Sequence, residues 1–282
     1  MGRIEPIARS APDKPRMYSP AERIADGGVH LLGIGASVLA VAAMMFAARH
    51  LPAASVASLA VYGFGLMAVF ACSALYHLSP EGQLKGLLRR FDHAAIYVKI
   101  AGTYTPFAAI KMGDAAGLAL LAGVWAITAF GATAKLLWPG RLVKTSYVLY
   151  LAQGWAIVAA FGPFAAAVSG RVLTLLVIGG VTYTVGVIFH LWERLPFHNA
   201  VWHSFVVVAS ACHFAAIVDA VGLVGACPLT HDLRRHYRPA IGAVRLGPGD
   251  GEEDGVWAIW CSDFRRPRRM WPASPTRTSI AA

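Results

Sequence analysis

The chain has 282 residues, of which 57% are hydrophobic and only 14% are charged, and its mean hydropathy is +0.55. Because so few charges cannot cover the surface of a soluble protein of this length, the composition excludes that class and indicates a protein embedded in a bilayer. The formal net charge of +10 is typical of a cytoplasmic face that attracts anionic lipid headgroups, and no nucleic-acid-binding motif accompanies it. We therefore expect membrane lipids as partners, and no nucleic acid.

Seven apolar segments follow one another along the chain, each close to the ~20 residues that cross the hydrocarbon core of a membrane as a helix. The connections between them are short, so the sequence predicts one all-α domain over residues 27–223, a bundle of seven transmembrane helices. The segments cover residues 28–48, 54–75, 94–110, 115–137, 147–168, 172–191 and 201–223.

The two ends of the chain differ from this domain. Residues 1–26 are polar and contain proline, unlike a cleaved signal peptide, and we expect them to form a cytoplasmic tail. Residues 224–282 combine mixed charge with proline and glycine and hold no apolar segment long enough to cross a membrane, so the sequence predicts an irregular or disordered tail.

Arginine and lysine positions predict the orientation. They precede the first segment and flank the turns after segments 2, 4 and 6, whereas the opposite turns hold only Arg49, Lys111 and Arg171. Since basic residues are enriched on the cytoplasmic side, we expect the amino terminus inside a bacterial-type inner membrane and the end of segment 7 outside.

Histidines and a carboxylate gather at the predicted inner end. The second segment ends in SALYH, with Ser73 and His77 four residues apart and therefore on one helix face. The sequence RRFDH before the third segment places Asp92 at the same depth, and FHNAVWHSF at the seventh contains His198 and His203. Such groups are typical of a zinc site with an open position, where Asp92 orients water, accepts its proton or fixes a histidine tautomer.

Each of these residues also has a simpler interpretation. A single histidine at a membrane interface usually anchors its helix, which is how we interpret His30, His50 and His190. Asp92 follows two arginines closely and could form an interfacial ion pair with them. Only the convergence of three segments on one depth favours a metal site.

Three motifs, SALYH, RRFDHAAIYVKIAGTYTPF and HNAVWHSFVVVASACHF, resemble in this order those of the hemolysin III family, the bacterial branch of the superfamily of progestin and adipoQ receptors and alkaline ceramidases. The resemblance covers residues 20–223 and implies a seven-helix fold with a cytoplasmic amino terminus and a zinc ion near the cytoplasmic leaflet. It further implies that His77 and His203 bind zinc, that Asp92 lies beside a zinc-bound water, and that Ser73 is the serine of an SxxxH motif.

One position departs from the family pattern. The other zinc-binding histidine should lie four residues before His203, where this chain has Asn199. An amide oxygen is a poor zinc ligand beside imidazole, so the site binds zinc more weakly, uses water, or uses His198 through a bent or unwound helix start after Pro196. We favour His198 as the third ligand.

Lys99 lies seven residues after Asp92, about 10 Å deeper along the same helix. It either snorkels towards the interface or lines a wet cavity, or it binds a lipid headgroup or a fatty acid. Gly102 and Pro106 predict a kink around an internal cavity in this helix.

Two classes of function fit these residues. The first is zinc-dependent hydrolysis of an amide or ester bond in a lipid at the cytoplasmic leaflet, similar to that of ceramidases, with Asp92 and Ser73 in the catalytic site. The second is a non-catalytic membrane protein in which zinc staples the helices while the protein senses lipid state or has cytolytic or receptor-like activity. Asn199 favours the second class slightly, whereas an open zinc site favours the first.

Overall fold

A computed structural model describes residues 18–138 and 143–223, and all regular structure in these ranges is helical. Residues 1–17 and the predicted tail at 224–282 lie outside them. A π-helix, Phe107–Met112, follows α3, and a 3₁₀-helix, Ala156–Ala160, separates α5 from α6. The α-helices are α1 (Pro20–Ala48), α2 (Ala53–Leu78), α3 (Gln83–Pro106), α4 (Ala115–Leu137), α5 (Val143–Gly154), α6 (Phe161–Ala167), α7 (Gly170–Leu191) and α8 (His198–Val221).

Six stretches of these helices are long and apolar enough to cross a membrane, and they confirm a multi-pass, all-helical fold. Five are the single helices α1, α2, α4, α7 and α8, and the sixth runs through α5 and α6 from Thr145 to Ala167. The remaining long helix, α3, differs because Arg89, Arg90, Asp92 and Lys99 fall within it. The count of seven spans and the orientation of the amino terminus stay predictions.

Helix α1 begins eight residues before the apolar segment that starts at Gly28. Ser19 caps it: the Ser19 side chain accepts a hydrogen bond from the Glu22 amide at 3.2 Å, and the Glu22 carboxylate accepts one from the Ser19 amide at 2.9 Å. This reciprocal capping box starts the helix at Pro20. Because α1 starts at Pro20, Asp26 and His30 both lie within its first turns.

Close packing against α2 holds the polar helix α3 in the bundle. A β-carbon added at Gly65 would lie 3.1 Å from the Lys99 Cα, and one at Gly102 would lie 3.2 Å from the Val61 carbonyl oxygen. These two glycines let the backbones approach as small residues do at membrane helix interfaces.

Both α3 and α5 are interrupted beside the last turns of α3. α3 becomes a π-helix immediately after Pro106, where the sequence predicted a kink. The Tyr104 hydroxyl donates to the Gly154 carbonyl at 2.7 Å and accepts from the Ile157 amide at 3.1 Å, so it satisfies the backbone where α5 ends. A buried tyrosine thus stabilises the break between α5 and α6.

Candidate metal centre

Asp26, on α1, is the centre of a buried polar cluster at the end of the bundle where α1, α3 and α8 begin and α2 ends. Its Oδ1 lies 2.6 Å from the Nδ1 of His203 on α8, and its Oδ2 lies 3.4 Å from the Nδ1 of His77 on α2. Its backbone carbonyl lies 2.8 Å from the Nδ1 of His30, one turn along α1. One residue therefore faces the same ring atom of three histidines.

These contacts determine which nitrogen carries the proton in two of the rings. A carboxylate and a backbone carbonyl only accept hydrogen bonds, so the Nδ1 atoms of His203 and His30 must donate to Asp26. In a neutral imidazole the other nitrogen, Nε2, then has no proton and is free to bind a cation. Metal-binding histidines in proteins usually donate their second nitrogen to a carboxylate or a carbonyl in this way.

The two Nε2 atoms meet at the hydroxyl of Ser73 on α2. Ser73 Oγ lies 3.1 Å from His30 Nε2 and 3.3 Å from His203 Nε2. A hydroxyl has one proton and can donate to only one of these nitrogens at a time. The second nitrogen therefore keeps a lone pair that is available to a cation.

The ring of His77 completes a triangle with the other two. Ring centroids lie 4.3 Å apart for His30 and His203, 4.5 Å apart for His77 and His203, and 5.4 Å apart for His30 and His77. One ligand atom from each of Asp26, His30 and His203 lies within 4.8 Å of the others. Imidazole nitrogens with a carboxylate oxygen form a donor set that suits zinc.

Asp92, on α3, lies at the edge of this cluster. It is buried, its Oδ2 is 3.3 Å from the Nδ1 of His93, and it is close enough to His77 and His203 to interact with them electrostatically. Asp92 and Ser73 therefore reach the cluster from different helices, α3 and α2.

The cluster lies in the wall of a cavity of about 790 Å³. Basic and acidic side chains of the helix ends line this cavity, and so do Lys99 and His213. Most of the lining surface is apolar, as in pockets that bind small molecules. Its apolar residues include Val69, Phe70, Ile96, Ile100, Val187 and Val206.

Similarity to known proteins identifies the family. The family model described as "Haemolysin-III related" matches residues 22–214. The chain belongs to the hemolysin III family. Hemolysin-3 homolog of Bacillus subtilis (strain 168) is 36% identical over 203 residues, 72% of this chain and 95% of its own length. Hemolysin-3 of Bacillus cereus is 37% identical over 201 residues, 70% of this chain and 90% of its own.

A more distant relative extends the resemblance beyond bacteria. Human monocyte to macrophage differentiation factor is 29% identical over 168 residues, 56% of this chain and 67% of its own length. No solved structure matches the chain. The hemolysin III match contains every residue of the cluster from Asp26 to His203, as well as Lys99. The resemblance expected from the three motifs is therefore confirmed.

His198, the predicted third ligand, has a different environment from His77 and His203. α8 begins at His198 as a regular helix, after Phe197 in the left-handed region with a φ of 60°. Residues five apart on such a helix point about 140° apart, so His198 and His203 diverge. The Tyr18 hydroxyl lies 3.1 Å from His198 Nε2, and Asn199 lines the cavity. The helix start that the sequence expected to bend is regular.

Sequence reasoning missed Asp26 and His30. His30 was interpreted as an interfacial anchor, yet it is buried and contacts Ser73. The signal was present, because Asp26 and His30 are four residues apart on one helix face at the same predicted depth as His77. This spacing was overlooked because the first helix was expected to start at residue 28, which left Asp26 in the predicted tail.

Proposed function

We propose that this hemolysin III protein is an integral inner-membrane protein that binds zinc through His30, His77 and His203 and hydrolyses an amide or ester bond of a lipid at the cytoplasmic leaflet. The observation that carries the proposal is the convergence of three Nδ1 atoms on Asp26. In that arrangement the Nε2 atoms of His30 and His203 both lie within 3.3 Å of Ser73 Oγ, and the His77 ring lies 4.5 Å from that of His203, so one cation can lie among the three rings.

Imidazole nitrogens are ligands that zinc commonly binds in proteins. Three neutral imidazoles leave the positive charge of the ion intact, and Asp26 behind them strengthens the ligands without occupying an open position. A zinc ion held there would supply a Lewis acid that polarises a carbonyl group and acidifies water.

The chain's own groups then have defined tasks. The carboxylate of Asp92, beside the cluster, accepts a proton from the attacking water and returns it to the leaving group. The Ser73 hydroxyl, already within 3.3 Å of two imidazoles, donates a hydrogen bond to the substrate carbonyl oxygen. Burial of both groups excludes bulk water, which strengthens their electrostatic effect.

The cavity supports a lipid as the substrate. Its apolar wall suits an acyl chain, and basic residues of the helix ends line the cavity together with the cluster. Basic side chains there can pair with the anionic headgroups of a cytoplasmic leaflet, beside acidic side chains that line the same end. The basic residues of the helix ends that line the cavity are Arg23, Lys85, Arg89, Arg90 and Lys135.

A second candidate function is a non-catalytic zinc staple. The cluster already joins α1, α2 and α8 through Asp26, Ser73 and His203, so a metal there would lock three helices whatever the chemistry. Such a protein would sense lipid state, or have the cytolytic activity that the name hemolysin of its Bacillus relatives implies. Asn199, in place of a histidine, favours this candidate.

Metal analysis combined with lipid hydrolysis separates the two candidates. Purified protein and its Asp92→Asn variant are assayed for zinc and for fatty-acid release from ceramides and phospholipids, with His50→Ala as the control for a histidine outside the cluster. Zinc retained in Asp92→Asn with hydrolysis lost supports the hydrolase. Zinc in the wild type with no release from any lipid supports the staple, and a wild type without zinc contradicts both.

A further inference from the structure

Lys99 is a buried lysine that the proposed hydrolysis does not use. Only 4% of its surface is exposed, it lies on α3 two turns beyond Asp92, and it lines the same cavity as the histidine cluster. Two helical turns place it about 10 Å further along the helix axis than Asp92. A charge at such a depth is costly unless something compensates it.

The described surroundings give Lys99 an aromatic neighbour but no counter-charge. Its Nζ lies 4.3 Å from the centre of the Tyr183 ring on α7, so the side chain crosses towards α7. Within residues 18–138 and 143–223, no aspartate or glutamate forms an ion pair with it. Contact with an aromatic face compensates a charge only in part.

Both polar and apolar side chains line the cavity that Lys99 lines. Thr103 and Tyr104 line the cavity one turn further along α3, and His213 on α8 is close enough to interact with the lysine electrostatically. Ile96, which lies between Asp92 and Lys99 along α3, also lines the cavity, as does Ile100. A chain of methylene groups can lie along this wall with a polar end at Lys99.

We infer that this end of the cavity binds the anionic group of an amphiphilic ligand, a carboxylate or a phosphate, through the Lys99 ammonium. The anion supplies the counter-charge that the described residues lack, and an ammonium is a common partner of both groups. Tyr183 positions the ammonium, and the apolar wall accommodates the alkyl chain. Because Lys99 is about two turns from Asp92, this binding does not occupy the position enclosed by the histidines.

Binding of non-hydrolysable amphiphiles tests the inference without any dependence on catalysis. Palmitate, hexadecyl phosphate and the neutral hexadecanol share one chain length and differ in the head group. Their affinities are measured by calorimetry for the full-length protein and for Lys99→Met in nanodiscs of neutral lipid. Lys111→Met is the control, because Lys111 does not line this cavity.

We expect an anionic amphiphile to lose about tenfold or more in affinity for Lys99→Met, while hexadecanol binds both proteins equally. Equal hexadecanol binding also shows that the variant is folded, and the anion with the larger loss identifies the head group. The inference is overturned if the wild type binds neither anion. It is also overturned if Lys99→Met lowers the affinity for the anions no more than it lowers the affinity for hexadecanol. Neither result depends on zinc or on hydrolysis, so failure of the hydrolase proposal leaves this test intact.

Discussion

Asp26 and His203 are 177 positions apart in the chain, yet the carboxylate of one accepts a 2.6 Å hydrogen bond from the ring of the other. This bond joins the first described helix to the last one and fixes the tautomer of His203. If it exists to prepare Nε2 for a metal, its removal should weaken metal binding more than it weakens the fold.

Asp26→Asn tests this role. The amide preserves the shape of the side chain but supplies no negative charge, so we expect zinc affinity to fall by about 10- to 100-fold. The measurement is competition with a zinc chelator of known affinity. Asp219→Asn is the matched control, because Asp219 lies near the opposite end of α8 in an ion pair with Arg171 at 3.5 Å. Equal zinc affinities for the two variants would refute a metal-orienting role for Asp26.

Two histidine variants distinguish His30 from His198 as the ligand that joins His77 and His203. If His30 is a ligand, His30→Ala should lose zinc when the protein is purified, whereas His198→Ala, which loses a contact to Tyr18, should keep it. Elemental analysis of the two proteins, prepared in parallel, decides the matter. The opposite pattern would support the ligand set expected from the sequence, with His198 beside His77 and His203.

Gly65 is predicted to control the packing of α3. A methyl group there would lie 3.1 Å from the Lys99 Cα, which is backbone and cannot rotate away. We expect Gly65→Ala to destabilise the fold by about 1–3 kcal/mol through overpacking. Gly123→Ala on α4 is the control, because an added methyl group there meets no atom within 4 Å. Thermal unfolding in detergent should show a lower midpoint for Gly65→Ala alone, and equal midpoints would disprove the argument.

Hydropathy predicted most of the fold because a bilayer demands long apolar helices. The helix that hydropathy alone describes least well is α3, since Asp92 and Lys99 interrupt its apolar pattern. Its place in the bundle depends instead on the close approach at Gly65 and Gly102, which a sequence does not display.

The sequence predicted that His77 and His203 lie at the same end of the bundle, but it did not predict every residue of the cluster. The helix-end positions of His77 and His203 follow from short connections, and the structure places their rings 4.5 Å apart. Asp26 was missed because a capping box, and not hydropathy, determines where α1 begins. His198 would share a helix face with His203 only if the start of α8 were bent or unwound. Whether α8 is regular from His198 onward depends on tertiary packing, which the sequence alone does not display.

X-ray absorption at the zinc edge of the purified protein tests the central claim most directly. The proposal predicts one zinc per chain, bound by imidazole nitrogens at about 2.0–2.1 Å and by no sulfur. The signal of three imidazoles should fall to two in His30→Ala if any metal remains. Absence of stoichiometric zinc, or a sulfur ligand at about 2.3 Å, would contradict the account.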